Sequence, residues 1–278
     1  MLTNYKQFWV YLLFILFVSS TNVYSQTISI SSPVANDTLN YGSSKTITWN
    51  WTGANGTAKI EYSTNGGTSW ININSNVTNN NGSNTYNWSV PNNPSNNCRI
   101  RITSIDYPAI SQTSGLFVIR SLVLLSPSSG NHIQAGKTFN IQWTSSYVSS
   151  LRLEYSTDNG NNWNLIQTGV NPTASPYVWN VPDIVSDQAI VRVSDATKSI
   201  TNTNCIKSQS GSFYICKLRL LAPNGGEFLF SNSNYNIQWT ASNNVSFVNL
   251  EYSTDNGGNW YTIANNLSAS SGSYTWMV

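Results

Sequence analysis

Apolar and polar residues alternate in short runs along this chain. Leu151, Leu153 and Tyr155 alternate with Arg152 and Glu154, and the same spacing returns with Ala58, Ile60 and Tyr62 and with Val248, Leu250 and Tyr252. A period of two turns one set toward a core and the other toward water, as in a half-buried β-strand. Between residues 121 and 217 these runs predict strands near 122–125, 138–143, 151–156, 163–167, 177–181, 189–194 and 212–216. Clusters of Gly, Asn, Pro and Ser separate them. No segment past the first 25 residues carries an amphipathic helical period.

The runs belong to a larger repeat. Lys45-Thr46-Ile47-Thr48-Trp49 returns as Phe139-Asn140-Ile141-Gln142-Trp143 and Tyr235-Asn236-Ile237-Gln238-Trp239. Glu61-Tyr62-Ser63-Thr64 returns at Glu154 and Glu251, and the Tyr86-Asn87-Trp88 segment at Tyr177 and Tyr274. The period of 91 to 97 residues is that of an independent domain, longer than a solenoid unit of roughly 20–50 residues. Seven short strands in such a length predict an all-β chain of tandem two-sheet sandwiches of immunoglobulin or fibronectin III type. Residues 26–120 form the first copy, 121–217 the second and 218–278 a third, expected to be truncated because it stops where the last two strands of its neighbours begin. The segment 117–120 runs almost directly into 122–125, and 213–216 into 218–221, with no flexible linker. A stiff array is therefore expected.

The first 25 residues read as a secretory signal. Lys6 precedes the apolar run 8–18, and Val23-Tyr24-Ser25 offers a cleavage site. Eleven apolar residues fall short of the ~20 that a membrane-spanning helix needs. The chain is thus expected to be secreted or displayed at a cell surface, with no transmembrane segment after cleavage.

Composition narrows the function classes. Only 9% of residues are charged, against about 25% in ordinary soluble proteins. The polar positions are carried by 40 Asn and 42 Ser. A net charge of +2 without clustered Lys and Arg excludes a strong electrostatic grip on nucleic acid. Eleven Trp and fifteen Tyr exclude global disorder.

One motif is specific. Ser156-Thr157-Asp158-Asn159-Gly160-Asn161-Asn162-Trp163 and Ser253-Thr254-Asp255-Asn256-Gly257-Gly258-Asn259-Trp260 fit S-x-D-x-G-x-x-W. Ser63, Asn65, Gly67 and Trp70 hold the same places in the first copy, with Asn for Asp. This resembles the Asp-box hairpin of sialidase-type propellers. The acidic or amide side chain accepts backbone N–H groups, Gly takes positive φ and Trp covers the hairpin. One carboxylate per loop is too few for calcium, which wants 6–8 oxygens. Over their length the copies resemble extracellular immunoglobulin-like or fibronectin III-like repeats of bacterial secreted and surface proteins. They are similar to the Ser/Thr-rich cell-wall-assembly family first described in yeast, whose opening is matched best by Ala222-Pro223-Asn224-Gly225-Gly226-Glu227. That resemblance implies fold and export, and no catalytic residues.

Nine tryptophans fall in three repeat-registered sets, which marks them as structural; Trp51 has no counterpart and reads either as extra packing at the edge of its strand or as the candidate surface contact for a glycan or a protein. Cys205 and Cys216, both late in the second copy, are the candidate disulfide, while Cys98 reads as a small buried hydrophobe. The single histidine, His132, is expected in a solvated turn. No Cys/His cluster suggests a metal, nothing places a base beside a nucleophile, and no cofactor motif is present. Glu61, Glu154 and Glu251 are expected to face outward from strands, and Asp183, Asp187 and Asp195 to be solvated in loops. The reading is a non-catalytic secreted or surface repeat protein, adhesive or structural, whose partners are extracellular polysaccharide or a cell-surface protein. The alternative is an accessory spacer or polysaccharide-binding region of a larger secreted hydrolase.

Overall fold

The computed structural model describes residues 25–278; the expected signal, apart from Ser25, lies outside the described residues. Among the described residues the fold is all-β, with a single 3-10 turn at Ala269–Ser271. In the first unit one sheet pairs Thr27–Ser32, Ser44–Thr52 and Gly82–Ser89. The facing sheet runs Ile71–Asn79, Gly56–Ser63, Ser95–Ser104 and Phe117–Ser126. Two short strands, Thr38–Asn40 and Ser111–Thr113, close its margins. These are seven principal strands in two layers, the immunoglobulin-like sandwich that the alternation predicts.

The second unit repeats the plan. Thr138–Ser146 and Tyr177–Asn180 form one sheet with the end of Phe117–Ser126. Leu151–Ser156, Asn164–Val170, Ser186–Asp195 and Phe213–Cys216 form the other. In the third unit Leu218–Ala222, Asn234–Ala241 and Ser273–Met277 make one sheet, and Phe247–Tyr252 pairs Tyr261–Ser268 in the other.

Each unit has its own core, built on a tryptophan of the second long strand. Trp49, Trp143 and Trp239 are buried, and each indole N–H donates at 2.8 Å, to Asn79 Oδ1, Pro172 O and Ala269 O respectively. A buried indole without that acceptor would carry an unmet donor. Beside them Trp88, Trp179 and Trp276 tilt against Tyr62, Tyr155 and Tyr252 at 5.2 to 5.4 Å between ring centres. The alternation is realised at Ala58, Ile60, Leu151 and Leu153, all fully buried.

The joint between the first two cores differs from expectation. The segments 117–120 and 122–125 are not two strands in sequence but one ten-residue strand, Phe117–Ser126. Its first half pairs Ser95–Ser104 of the first unit and its second half pairs Thr138–Ser146 of the second, so a single eight-stranded sheet crosses the boundary. The next joint has no shared strand. There Lys217 and Ser242 exchange hydrogen bonds of 2.8 and 2.9 Å, and the Asn244 amide donates to Ile215 O and Ser186 O.

The three cores are unequal. Sixteen buried apolar residues make the first and fifteen the second, against five in the third. Local stability follows buried apolar area. Hydrogen exchange read by mass spectrometry is therefore expected to be faster across Phe247–Tyr252 than across its counterparts Gly56–Ser63 and Leu151–Ser156; equal protection of all three would contradict this.

Candidate functional site

The S-x-D-x-G-x-x-W turns close three equivalent hairpins, and the serine shares the work with the acid. Ser156 Oγ accepts from the N–H groups of Asp158 at 3.2 Å and Gly160 at 2.9 Å, and donates to Asp158 Oδ1 at 2.6 Å. Asp158 Oδ1 then accepts from Asn162 N at 2.9 Å. Ser253 and Asp255 repeat this with Gly257 and Asn259, and Ser63 and Asn65 with Gly67 and Ser69. Gly160 sits at φ 89°, a conformation that favours glycine, and a Cβ there would press on the end of the Ile190 side chain at 3.2 Å. The Ser156 and Asn162 hydrogen bonds hold the Asp158 carboxyl down at about 2, and those of Asn259 and Ser253 hold Asp255 at about 2.

The turn tryptophans are roofed from outside the motif. The Arg101 guanidinium lies 4.3 Å from the centre of the Trp70 ring, and that of Arg192 lies 3.8 Å from Trp163. Each arginine also clamps the glutamate directly across the strand pair. Arg101 donates to Glu61 at 2.6 and 3.0 Å, and Arg192 to Glu154 at 2.7 and 3.0 Å. Burial pushes the Glu61 carboxyl up, but Lys59 and Arg101 outweigh it and hold the group below its usual value. Glu61 faces outward from the sheet as expected but is covered there, only 5% exposed. Trp260 has no such roof and stands 61% exposed, unlike the core or covered position its register predicts. The recurring Ile100-Arg101-Ile102 and Val191-Arg192-Val193 were the signal for these arginines.

Trp51 takes the packing role of its two readings and is not a surface contact. It lies two residues after Trp49 and so shares the core face; it is 1% exposed, donates to Ala54 O at 2.8 Å and stacks near Tyr107. Gly53, at φ 150°, lets the following loop fold onto the indole, because a Cβ there would stand 2.7 Å from the ring. His132 opens the short strand His132–Gln134 rather than a turn, exposed and stacked on Tyr214 at 4.6 Å.

Cys205 and Cys216 are unbonded and buried. They occupy opposite ends of the second unit. Cys205 Sγ lies 3.7 Å from Asp195 O, at one end of Ser186–Asp195, while Ile215, next to Cys216, pairs Ser186 at the other. A ten-residue strand spans about 30 Å, and a disulfide needs Cα atoms within about 7 Å. Cys98 is fully buried.

Asp195 is the largest departure from expectation. It is not solvated in a loop but 2% exposed, ion-paired at 2.7 Å with Arg120 of the shared strand, itself 5% exposed at the side chain. Arg120 also donates to Asn40 Oδ1 at 2.7 Å and to Asn204 O, and Asp195 accepts from Thr197 N at 3.0 Å and Oγ1 at 2.6 Å. The guanidinium thus ties Asn40 of the first unit to Asp195 and Asn204 of the second. Burial raises the Asp195 carboxyl, but Thr197 and Arg120 prevail and keep it below the usual carboxylate value. Beside this lock opens a polar cleft of 510 Å³ between Asp37, Lys45 and Ser43 on one side and Lys198, Thr203 and Asn204 on the other. Its lining holds no aromatic ring on which a sugar could stack. Among the described residues, no three His, Cys, Asp or Glu side chains gather to hold a metal ion.

Residues 27–102 match the family described as Bacterial Ig domain. No curated protein matches the chain. Among solved structures it is similar to the fibronectin(III)-like modules of Clostridium thermocellum CbhA, at 15% identity over 73% of this chain and 100% of that one, TM-score 0.23. It is also similar to the FN1–FN3 domains of chicken CNTN1, at 13% identity over 91% and 87%, TM-score 0.34. A third likeness is to an I-band fragment of titin, at 9% identity over 82% and 80%, TM-score 0.30.

Removing one member of the buried ion pair strands the other. Arg120→Met is expected to cost about 3–5 kcal/mol in urea unfolding, and the double change Arg120→Met with Asp195→Leu to restore most of it. Acid is expected to act on the turns and the lock together. The carboxyls of Asp158, Asp255 and Asp195 lie lower folded than their ordinary 3.8, so their contribution is complete above that value and fades as the pH falls toward 2. A Tm profile flat from pH 5 to 2.5 would refute this.

Proposed function

We propose that this chain is a non-catalytic extracellular spacer, structural or adhesive, that holds its first two sandwiches in one fixed orientation. The joint carries the reading. A shared strand and a buried guanidinium with three polar partners are costly features for a flexible connector and fitting ones for a rigid spacer. Export is supported by the apolar leader read in residues 1–25 and by a surface of Asn, Ser and Thr with few charges. The match of residues 27–102 to a bacterial immunoglobulin-like domain is in keeping with it. The three hairpins capped by Ser, Asp or Asn, Gly and Trp serve in this reading as turns and not as ligand sites. Partners would be extracellular polysaccharide or a cell-surface protein, met through exposed loops and polar sheet faces, without nucleic acid or cofactor.

Stiffness is the property to test. Nitroxide labels at the exposed positions Asn76→Cys and Gln167→Cys report the first unit against the second, while the native cysteines are buried. A single narrow distance distribution by pulsed electron resonance is expected, broadened by Arg120→Ala. A broad distribution before that change would remove the spacer reading.

A further inference from the structure

The cleft of 510 Å³ at the first joint carries charges that do not cancel. Asp37 lies 3.0 Å from Lys45 and neutralises it, and Arg120 beside the cleft is matched by Asp195. Lys198, on the wall supplied by the second unit, is half-buried and, among the described residues, forms no ion pair. One cation therefore stands uncompensated in a space within the small-ligand range of about 300–1,000 Å³.

The rest of the lining suits hydroxyl groups. Thr38 and Ser44 of the first unit and Thr203 and Asn204 of the second line it with exposed hydroxyls and an amide. Leu39, the one aliphatic residue of the lining, is buried in the first core. The two walls are also fixed before any ligand arrives. Asn40 on one and Asn204 on the other both accept from the Arg120 guanidinium, so the lock that joins the units also sets the spacing of the cleft. Such preorganisation lowers the cost of binding.

We propose that this cleft binds a carboxylate-bearing sugar of an extracellular glycan, its carboxylate on Lys198 and its hydroxyls on Thr38, Ser44, Thr203 and Asn204. The site deepens the reading of the chain as a spacer that meets polysaccharide, and rests on it. A neutral sugar would leave Lys198 without a partner and finds no aromatic ring to stack on. A peptide would bring side chains that meet no apolar surface. The charge-assisted hydrogen bond to Lys198 selects the acidic sugar, and the hydroxyls and amide select a sugar over other anions.

The probe is trigalacturonate titrated into the purified protein by calorimetry, with maltotriose as the neutral control and capped triglutamate as the peptide control. Trigalacturonate is expected to bind about tenfold or more tightly than either control, and Lys198→Gln to weaken it about tenfold. Asp37→Asn keeps an acceptor for Val34 N but releases Lys45, and is expected to tighten binding severalfold. Lys137→Gln, at the opposite end of the second unit, is expected to change nothing. Absence of binding, equal affinity for maltotriose or triglutamate, or an unaltered affinity in Lys198→Gln overturns the proposal. The distance between labels at positions 76 and 167 reads the spacer separately: a narrow distribution without trigalacturonate binding overturns the cleft and leaves the spacer standing.

Discussion

A guanidinium withdrawn from water between two domains is tolerable only when its donors are met in a fixed geometry. Arg120 meets that condition by reaching Asn40, Asp195 and Asn204 at once. No one unit supplies all three partners, so the first two sandwiches need each other in one relative pose. The strand Phe117–Ser126 is shared by both units, and the ion pair joins that strand to the far end of Ser186–Asp195. Replacement of such a pair by apolar groups is often neutral for stability, so in the proposed spacer role orientation is the property this pair would serve.

The second joint shows what happens without it. Cys216 takes the place in Phe213–Cys216 that Arg120 takes in the preceding strand, and burial raises its thiol pKa in place of a paired charge. Among the described residues, the hydrogen bonds that link the second and third cores at that seam run from Ser242 N to Lys217 O, from Lys217 N to Ser242 Oγ and from the Asn244 amide, with one weak contact from Gln134 at 3.4 Å.

The all-β class, the strand period and the tryptophan register are legible in the sequence because each is a local pattern repeated three times. Leu151–Ser156 has the residues that its alternation marks. What escaped is set by pairing across the fold. Trp51 shares a face with Trp49, but only the loop at Gly53 decides that the face is covered so far along. Asp195 looks like a loop acid until the shared strand brings Arg120 to it across 75 positions. Cys205 and Cys216 are near in sequence and far apart in space, since a full strand length separates their ends of the sheet. Arg101 and Arg192 sit at equivalent places in plain view, and only the opposed Glu61 and Glu154 give them a partner.

The continuous sheet has a mechanical consequence. Tension applied along the chain would pass from the first unit to the second through hydrogen bonds on both flanks of one strand, loaded in shear. Extension would then start by rupturing a sheet rather than by straightening a hinge. The two sandwiches would bear load as one element, and compliance would concentrate at the seam near Lys217.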